Sequence, residues 1–289
     1  MFRVCGVVVV VVGLAACGGG GSGSGSEDST VGVAERGGTT TPAPSVASTA
    51  PLLDQLEAQG SLRFSGPVRL LGQFDVGEKS TTIDRNFNVT VETVSRGTIQ
   101  FPAPDEPPSL GVDVRTTDDR MATLYVQRPV PEGELGFSYT SFGDWAIAML
   151  PGSLDSSMQF ANEIGTFFIG AKTPANNMPV AGTTRYNGVA TAAQLTGTRY
   201  RSYTGSVTLD ADFKTGRMAG SVDLDRFPQI RLEDIRIDGS DFSGTASSAA
   251  NFRGRVNGGF TGPRAQELGG RFDINSSGDF MMGAFAARR

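Results

Sequence analysis

Apolar and polar side chains alternate with the period of a β-strand through the second half of the chain. Residues 207–213 (VTLDADF) carry an apolar side chain at every second position, and the alternation returns after the turn residues 214–216. Successive side chains of a strand point to opposite faces, so this pattern predicts a hairpin with one buried and one solvated face. The next strand, 230–237, changes parity at Glu233 and Asp234, which predicts a β-bulge.

A large apolar residue, any residue and then glycine recur about once per strand in this half. Residues two apart in a strand share a face, so each glycine lies beside a bulky side chain on the inner wall. Alternating large and small inner residues suit a small closed barrel, and glycine permits strong strand bends. An open sandwich is the alternative, but recurrence in each strand favours the barrel. The repeats are Tyr186-Asn187-Gly188, Tyr203-Thr204-Gly205, Met218-Ala219-Gly220, Phe242-Ser243-Gly244, Phe252-Arg253-Gly254 and Phe260-Thr261-Gly262.

The region ahead of this repeat also carries strand patterns. Residues 52–59 (LLDQLEAQ) predict a short helix that Gly60 ends. Clean alternation at 87–91 and 124–127 predicts strands. The most aromatic passage, residues 135–150, predicts a long strand or a hairpin. A β-rich domain therefore precedes the barrel.

Together these patterns predict an all-β protein with two folded domains. A β-rich N-terminal domain spans residues 52–175, and a closed antiparallel β-barrel of about eight strands spans residues 176–289. Within the barrel, Pro263 suits the first position of a helix and Gly269 its end. They predict one helical turn at residues 264–268 that closes one barrel end.

The first 51 residues predict a secretory signal peptide with a lipidation site, followed by a tether. Residues 1–16 combine one positive charge, a valine-rich stretch and small residues, as a secretory signal peptide does. That stretch is shorter than the roughly 20 apolar residues of a spanning helix. Leu14-Ala15-Ala16-Cys17 resembles the lipobox of bacterial lipoproteins, which implies cleavage before Cys17 and acylation of its thiol and amino group, for example with palmitate. Residues 17–51, rich in Gly, Ser, Thr and Pro, predict a disordered tether that spans roughly 30–35 Å.

Composition narrows the chemistry. The chain has no histidine, and its two cysteines fall in the predicted signal peptide and at the predicted lipidation site. Histidine is the usual general base and a common metal ligand, so a Ser-His-Asp triad is excluded, and neither a catalytic residue nor a metal site is predicted. Glu267 is interpreted as a hydrogen-bonding cap or plug. The net charge of −5 offers no basic surface for nucleic acid. We expect a binding protein, with an enzyme in a lipocalin-like barrel as a further alternative.

Three passages resemble the C-terminal barrel of the transferrin-binding protein B family of Gram-negative surface lipoproteins. Residues 258–270 (GGFTGPRAQELGG) resemble its glycine-rich signature, residues 283–285 its closing strand, and residues 172–188 the segment that leads into the barrel. Residues 142–145 (FGDW) resemble the end of the handle-type β-domain that precedes the barrel. Thr261 replaces an aromatic residue of the family pattern, and this chain has room for one handle-and-barrel lobe instead of two.

The resemblance implies an outer-membrane, lipid-anchored protein that captures a ligand. A host iron-carrier protein, haem or another small solute is the expected ligand, and an outer-membrane transporter is a candidate partner. A structural or adhesive surface lipoprotein without a nutrient ligand is the alternative. No cofactor is expected, although tyrosine or methionine could ligate haem. Whether the body faces the periplasm or the exterior stays open. The predicted ligand-binding residues lie near the domain boundary, where clefts often form: Tyr139, Phe142, Trp145, Met178 and Tyr186.

Overall fold

The computed structural model of the chain describes residues 50–70, 77–94, 97–101, 112–115, 121–148 and 161–289. The predicted signal peptide, Cys17 and nearly all of the predicted tether lie outside these ranges. Among the described residues, no helix has both the length and the apolar character needed to cross a membrane. The same residues contain no group of three or more His, Cys, Asp or Glu side chains that could hold a metal ion.

The N-terminal domain consists of one helix followed by an eight-stranded antiparallel sheet with the order β4-β3-β2-β1-β8-β7-β6-β5. The aromatic passage predicted as a strand or hairpin contributes one described strand, β7. The elements are α1 (Leu52–Gln59), β1 (Ser61–Leu70), β2 (Glu78–Asp84), β3 (Val89–Thr93), β4 (Gly97–Phe101), β5 (Val112–Arg115), β6 (Met121–Gln127), β7 (Thr140–Ala148) and β8 (Ala161–Gly170).

Helix α1 ends at Gly60, as predicted. Gly60 adopts a φ of 77°, and its N–H donates to Leu56 O at 2.8 Å. A left-handed glycine of this kind is a common helix terminator, because it lacks the Cβ that makes the conformation costly. The buried side chains of Leu52 and Leu56 join the apolar core of the sheet, which also contains Trp145.

The second domain is a closed antiparallel barrel of eight strands in sequence order. Strand β16 pairs with β9 along ten residues, from Asp279–Thr196 to Arg288–Asn187, and this pairing closes the barrel. The predicted all-β fold and eight-stranded barrel are therefore confirmed. The strands are β9 (Thr183–Thr196), β10 (Arg199–Asp212), β11 (Arg217–Leu224), β12 (Ile230–Asp238), β13 (Asp241–Ser248), β14 (Arg253–Thr261), β15 (Glu267–Ser276) and β16 (Asp279–Arg288), preceded by a 3-10 helix (Ala175–Asn177).

Apolar side chains fill the interior of the barrel. At each end, aromatic rings meet at centroid distances of 5.5–5.8 Å. Small barrels are packed in this way, whereas larger ones enclose ligand cavities. The rings are Tyr186, Phe213, Phe242 and Phe260 at the end where β9 begins, and Tyr203, Phe227 and Phe252 at the opposite end.

The bulge predicted in β12 is present. The pairing of β12 with β13 shifts in register between Glu233 and Arg236, and Asp234 has a φ of 52°. The extra residue restores the alternation, so that Leu232 and Ile235 are both buried although they lie three residues apart. The change of parity in the sequence is therefore the signature of this bulge.

The repeated glycines permit close contact between neighbouring strands. A Cβ added at Gly188 would overlap the backbone of Ala286 and Ala287 on β16, and one added at Gly220 would overlap Thr208 O on β10. Only a residue without a side chain fits where the neighbouring backbone comes this close. The repeat thus includes positions at which adjacent strands leave no room for a Cβ.

The helical turn predicted at residues 264–268 is wrong. Residues 262–265 form a turn, and β15 already starts at Glu267. Gly262 has a φ of 81° and Ala265 a φ of 55°, and such left-handed residues cannot propagate a right-handed helix. The turn nevertheless closes one end of the barrel, because the Ala265 side chain is fully buried in the barrel core.

Candidate functional site

Phe142 and Trp145 lie on opposite faces of strand β7. Phe142 is completely buried and packs with Ala284 and Ala286 on the outer face of β16, at the junction between the two domains. Trp145 is only 1% exposed and lies in the core of the N-terminal sheet. Neither side chain is available to a ligand at the surface, and the two do not converge on one site.

The hydroxyl groups of the two predicted tyrosines are already engaged. Tyr139 donates to Glu132 Oε1 at 2.7 Å, and Tyr186 donates to Ala265 O at 2.7 Å. Burial raises the pKa of Tyr139 above its usual range and that of Tyr186 to about 12. Both phenols therefore stay protonated at neutral pH. To serve as iron ligands, they would have to break these bonds and ionise.

Met178 is the only one of the five predicted ligand-binding residues that is partly exposed; it lies at the barrel end where β9 begins. It follows the 3-10 helix, is half-buried and packs against the barrel core. The structure therefore distributes the five predicted residues over three places. Trp145 and Tyr139 lie in the sheet core, Phe142 at the junction, and Tyr186 and Met178 at the barrel end where β9 begins.

The junction between sheet and barrel is closed by buried polar contacts. The Glu267 carboxylate accepts hydrogen bonds from the backbone N–H of Ser138 at 2.7 Å and of Tyr139 at 3.0 Å. Burial raises the pKa of Glu267, and the two backbone donors oppose this shift. Glu267 thus forms the kind of structural hydrogen bond expected from the sequence, but its donors belong to the other domain.

Two further contacts cross the same junction. The hydroxyls of Thr140 and Thr261 are 2.7 Å apart, and Thr191 donates to the fully buried Asp144 carboxyl. Strands β9 and β16 supply apolar side chains on their outer faces, which pack against β7 and β8. The junction is therefore a packed interface among the residues that the structure describes.

The end of the barrel where β9 begins carries an accessible surface. We call it the mouth surface and define it as loops 131–136, 174–182 and 262–266 together with Arg288 and Arg289. An open cleft of about 480 Å³ lies in it, lined by Asn177, Pro179, Pro263, Arg264 and Arg289.

Exposed apolar side chains flank this cleft. Leu135 is 85% and Val180 87% exposed, whereas the next large apolar side chain in the described part of the chain is 38% exposed. Val180 follows Pro179, which lines the cleft. Leu135 lies between two residues whose carbonyls accept hydrogen bonds from Arg288, the neighbour of Arg289. Both apolar side chains thus lie on loops at the same end of the barrel as the cleft.

Arg264 and Arg289 place two guanidinium groups in the lining of the cleft. Both side chains are exposed, and neither takes part in an ion pair among the described residues. The nearby Lys172, by contrast, is neutralised by Asp241 at 2.6 Å. The two guanidinium groups can therefore receive an anionic group from a ligand.

Sequence reasoning missed most of the mouth surface. The available signal was an apolar residue inside a turn-forming segment, as at Leu135 in EGELG and Val180 in PVAG. Loops lie on the surface, so an apolar side chain there is exposed unless another segment covers it. The cleft itself depends on three loops that are distant in sequence, and no local pattern predicts their proximity.

Fold and surface together define a barrel with a filled interior and an open cleft at one end. The barrel, residues 178–289, matches the family described as the C-lobe and N-lobe beta barrels of Tf-binding protein B. The resemblance seen in the sequence is therefore confirmed, and the barrel is of the Tf-binding protein B type. The description of this family names a binding protein, which agrees with the binding class expected from the sequence. No curated protein matches the sequence.

Solved structures extend the similarity to both domains. Transferrin binding protein B from serogroup B Neisseria meningitidis has a TM-score of 0.51 and 18% identity, over 78% of this chain and 43% of that one. A double mutant of the Haemophilus parasuis Hp5 protein has a TM-score of 0.51 and 17% identity, over 78% and 44%. HpuA from Kingella denitrificans, in complex with human haemoglobin, has a TM-score of 0.46 and 14% identity, over 80% and 85%. This chain spans less than half the length of the first two proteins, and the likeness at this identity concerns the fold.

Proposed function

We propose that the protein is an outer-membrane, lipid-anchored binding protein that captures a host iron-carrier protein. The observation that carries the proposal is a Tf-binding protein B barrel whose interior is filled and whose mouth surface is open. A filled barrel leaves its outer loops as the place for recognition. Haem or another small solute is the second class of ligand to be tested.

The geometry favours a macromolecular ligand. Sites for small molecules are concave and enclose most of the ligand surface. The cleft at the mouth is open, and Leu135 and Val180 project beside it almost fully exposed. Exposed apolar groups rimmed by polar ones are typical of surfaces that bind proteins.

The proposed anchor rests on Leu14-Ala15-Ala16-Cys17. Acylation of both the thiol and the amino group of Cys17 would hold the chain at the membrane, because stable attachment needs two or more acyl chains. The tether of residues 17–51 would hold the folded body roughly 30–35 Å from the anchor. An outer-membrane transporter could then receive iron or haem released from the captured carrier.

Binding of the purified full-length protein in detergent to iron-loaded transferrin, haemoglobin and haem tests the proposal. We expect saturable binding of one carrier with a dissociation constant of about 1 µM or tighter, as specific complexes show. A Cys17→Ser variant should bind that carrier equally well but leave the membrane fraction and lack acyl mass. Failure of every member of the panel to bind would remove the capture function and favour the adhesive alternative.

A further inference from the structure

The mouth surface carries two kinds of group that a ligand could contact, namely two exposed arginines and two exposed apolar side chains. In a chain with a net charge of −5, Arg264 and Arg289 are cations without an ion-pair partner among the described residues. Leu135 and Val180 flank them with exposures of 85% and 87%. A phosphate or another small anion would satisfy the arginines and leave both apolar groups in water. The pattern therefore fits a polypeptide better than an inorganic anion.

The loop that carries Arg264 is held in place by its neighbours. Thr173 Oγ1 donates to Gly262 O at 2.6 Å, and Gly262 N donates to Ala171 O at 2.8 Å. From inside the barrel, the Tyr186 hydroxyl donates to Ala265 O. A ligand that contacts Arg264 would therefore not have to order this loop first, which reduces the entropic cost of binding.

The loop that carries Leu135 is fixed in the same way. Arg288 Nη1 donates to Gly136 O at 3.1 Å, and Val130 N donates to Phe137 O at 2.9 Å. The exposure of Leu135 thus belongs to an ordered loop. Glu134 on the same loop is exposed and negative, so it disfavours an acidic group beside Leu135.

We infer that the mouth surface binds a protein segment in which an acidic side chain is flanked by apolar ones. The carboxylate pairs with Arg264 and Arg289, where bidentate hydrogen bonds can form, and the apolar side chains cover Leu135 and Val180. Repulsion by Glu134 sets the orientation, with the acidic group on the arginine side of the surface. This inference rests on the proposed capture of a protein and specifies the chemistry of the captured segment.

Selection of random displayed peptides on the immobilised full-length protein tests the inference. We expect the selected peptides to be enriched in Asp or Glu beside Leu, Ile, Val or Phe. Their affinity should fall by about tenfold or more in Arg264→Glu/Arg289→Glu and in Leu135→Asp, as expected when a charge-assisted or buried apolar contact is lost. The matched control is Arg226→Glu/Arg253→Glu, which makes the same charge change with exposed arginines at the opposite barrel end and should leave the affinity unchanged.

The outcomes separate this inference from the proposed function. Peptides without acidic residues, peptides that bind the mouth variants as well as wild type, or no selected peptide at all would overturn the inference. A carrier protein that binds the mouth variants with unchanged affinity would overturn it as well and leave the capture function intact. Acidic peptides that depend on the mouth, combined with no binding of any carrier, would support the surface and contradict the iron-carrier function.

Discussion

At the scale of single residues, two buried carboxyl groups at the same junction have different surroundings. Glu267 accepts two backbone N–H groups, whereas Asp144 has the Thr191 hydroxyl as its donor. Burial raises the pKa of both groups, and for Asp144 it reaches about 7. Desolvation outweighs a single neutral hydrogen bond, because a lone hydroxyl replaces little of the hydration that a carboxylate loses.

The pKa of Asp144 leads to a prediction about pH. Between its ordinary value of 3.8 and about 7, the folded state binds more protons than the unfolded state. The contribution of Asp144 to the free energy of unfolding is therefore largest below about pH 4. It decreases as the pH rises to about 7 and does not change further at higher pH. In Asp144→Asn this fall should disappear, which would flatten the pH dependence by at most about 1.4 kcal/mol per pH unit. Urea unfolding between pH 4 and pH 8 measures it.

The control for this prediction is Asp225→Asn, which changes an exposed carboxyl group. It should retain the dependence of the wild-type protein. Equal slopes for wild type and Asp144→Asn across this range would show that the buried carboxyl does not govern stability there.

At the scale of elements, periodicity predicted the barrel well and the N-terminal sheet only in outline. The pattern at residues 207–213 became β10, and the parity change in β12 became a bulge. The error at residues 264–268 arises at Ala265, which adopts a left-handed conformation and is buried in the barrel core, and no sequence pattern signals this. The pairing of β1 with β8, across about a hundred residues, is likewise a result of tertiary structure.

The close contacts at the repeated glycines give a prediction at this scale. In Gly220→Val, the new side chain would collide with Thr208 O and with Leu209 on the neighbouring strand β10. Overpacking of this kind typically costs about 1–3 kcal/mol, which should lower the urea midpoint. Ala219→Val is the matched control, since the preceding side chain is exposed on the same strand and β-branched residues suit strands. A Gly220→Val protein as stable as Ala219→Val would refute the steric role of the repeat.

At the scale of the whole molecule, the barrel strands β9 and β16 at the junction lack a regular alternation of buried and exposed residues. Residues 190–195 of β9 and 281–287 of β16 are buried at successive positions, where a strand with one wet face would alternate. Such runs indicate strands covered on both faces, here by barrel core and sheet. The same residues read ATAAQL and MMGAFAA and contain no charged side chain, so the sequence could predict which barrel strands meet the N-terminal domain. It could not predict the partners of Asp144 and Glu267, because these contacts join residues 47 and about 130 positions apart.

The same junction predicts that the two domains unfold together. Trp145 is the only tryptophan of the chain and is buried in the sheet, so its fluorescence reports the N-terminal domain. Hydrogen exchange of the β14 and β15 amides reports the barrel. We expect coincident midpoints in urea, because Glu267 and the apolar faces of β9 and β16 connect the two cores.

Removal of the crossing carboxylate tests this coupling. Glu267→Ala deprives the N–H groups of Ser138 and Tyr139 of their acceptor, which should cost about 1–3 kcal/mol and lower both midpoints, although the substitution lies in the barrel. Glu57→Ala in helix α1 removes an exposed carboxyl group and should leave both midpoints in place. Separate midpoints in the wild-type protein, or a shift in Glu267→Ala confined to the barrel amides, would show that the domains are stable independently. Coincident shifts would show that the two domains unfold as one unit. A ligand bound at the mouth surface would then stabilise the N-terminal sheet as well, because it favours the folded state of both domains.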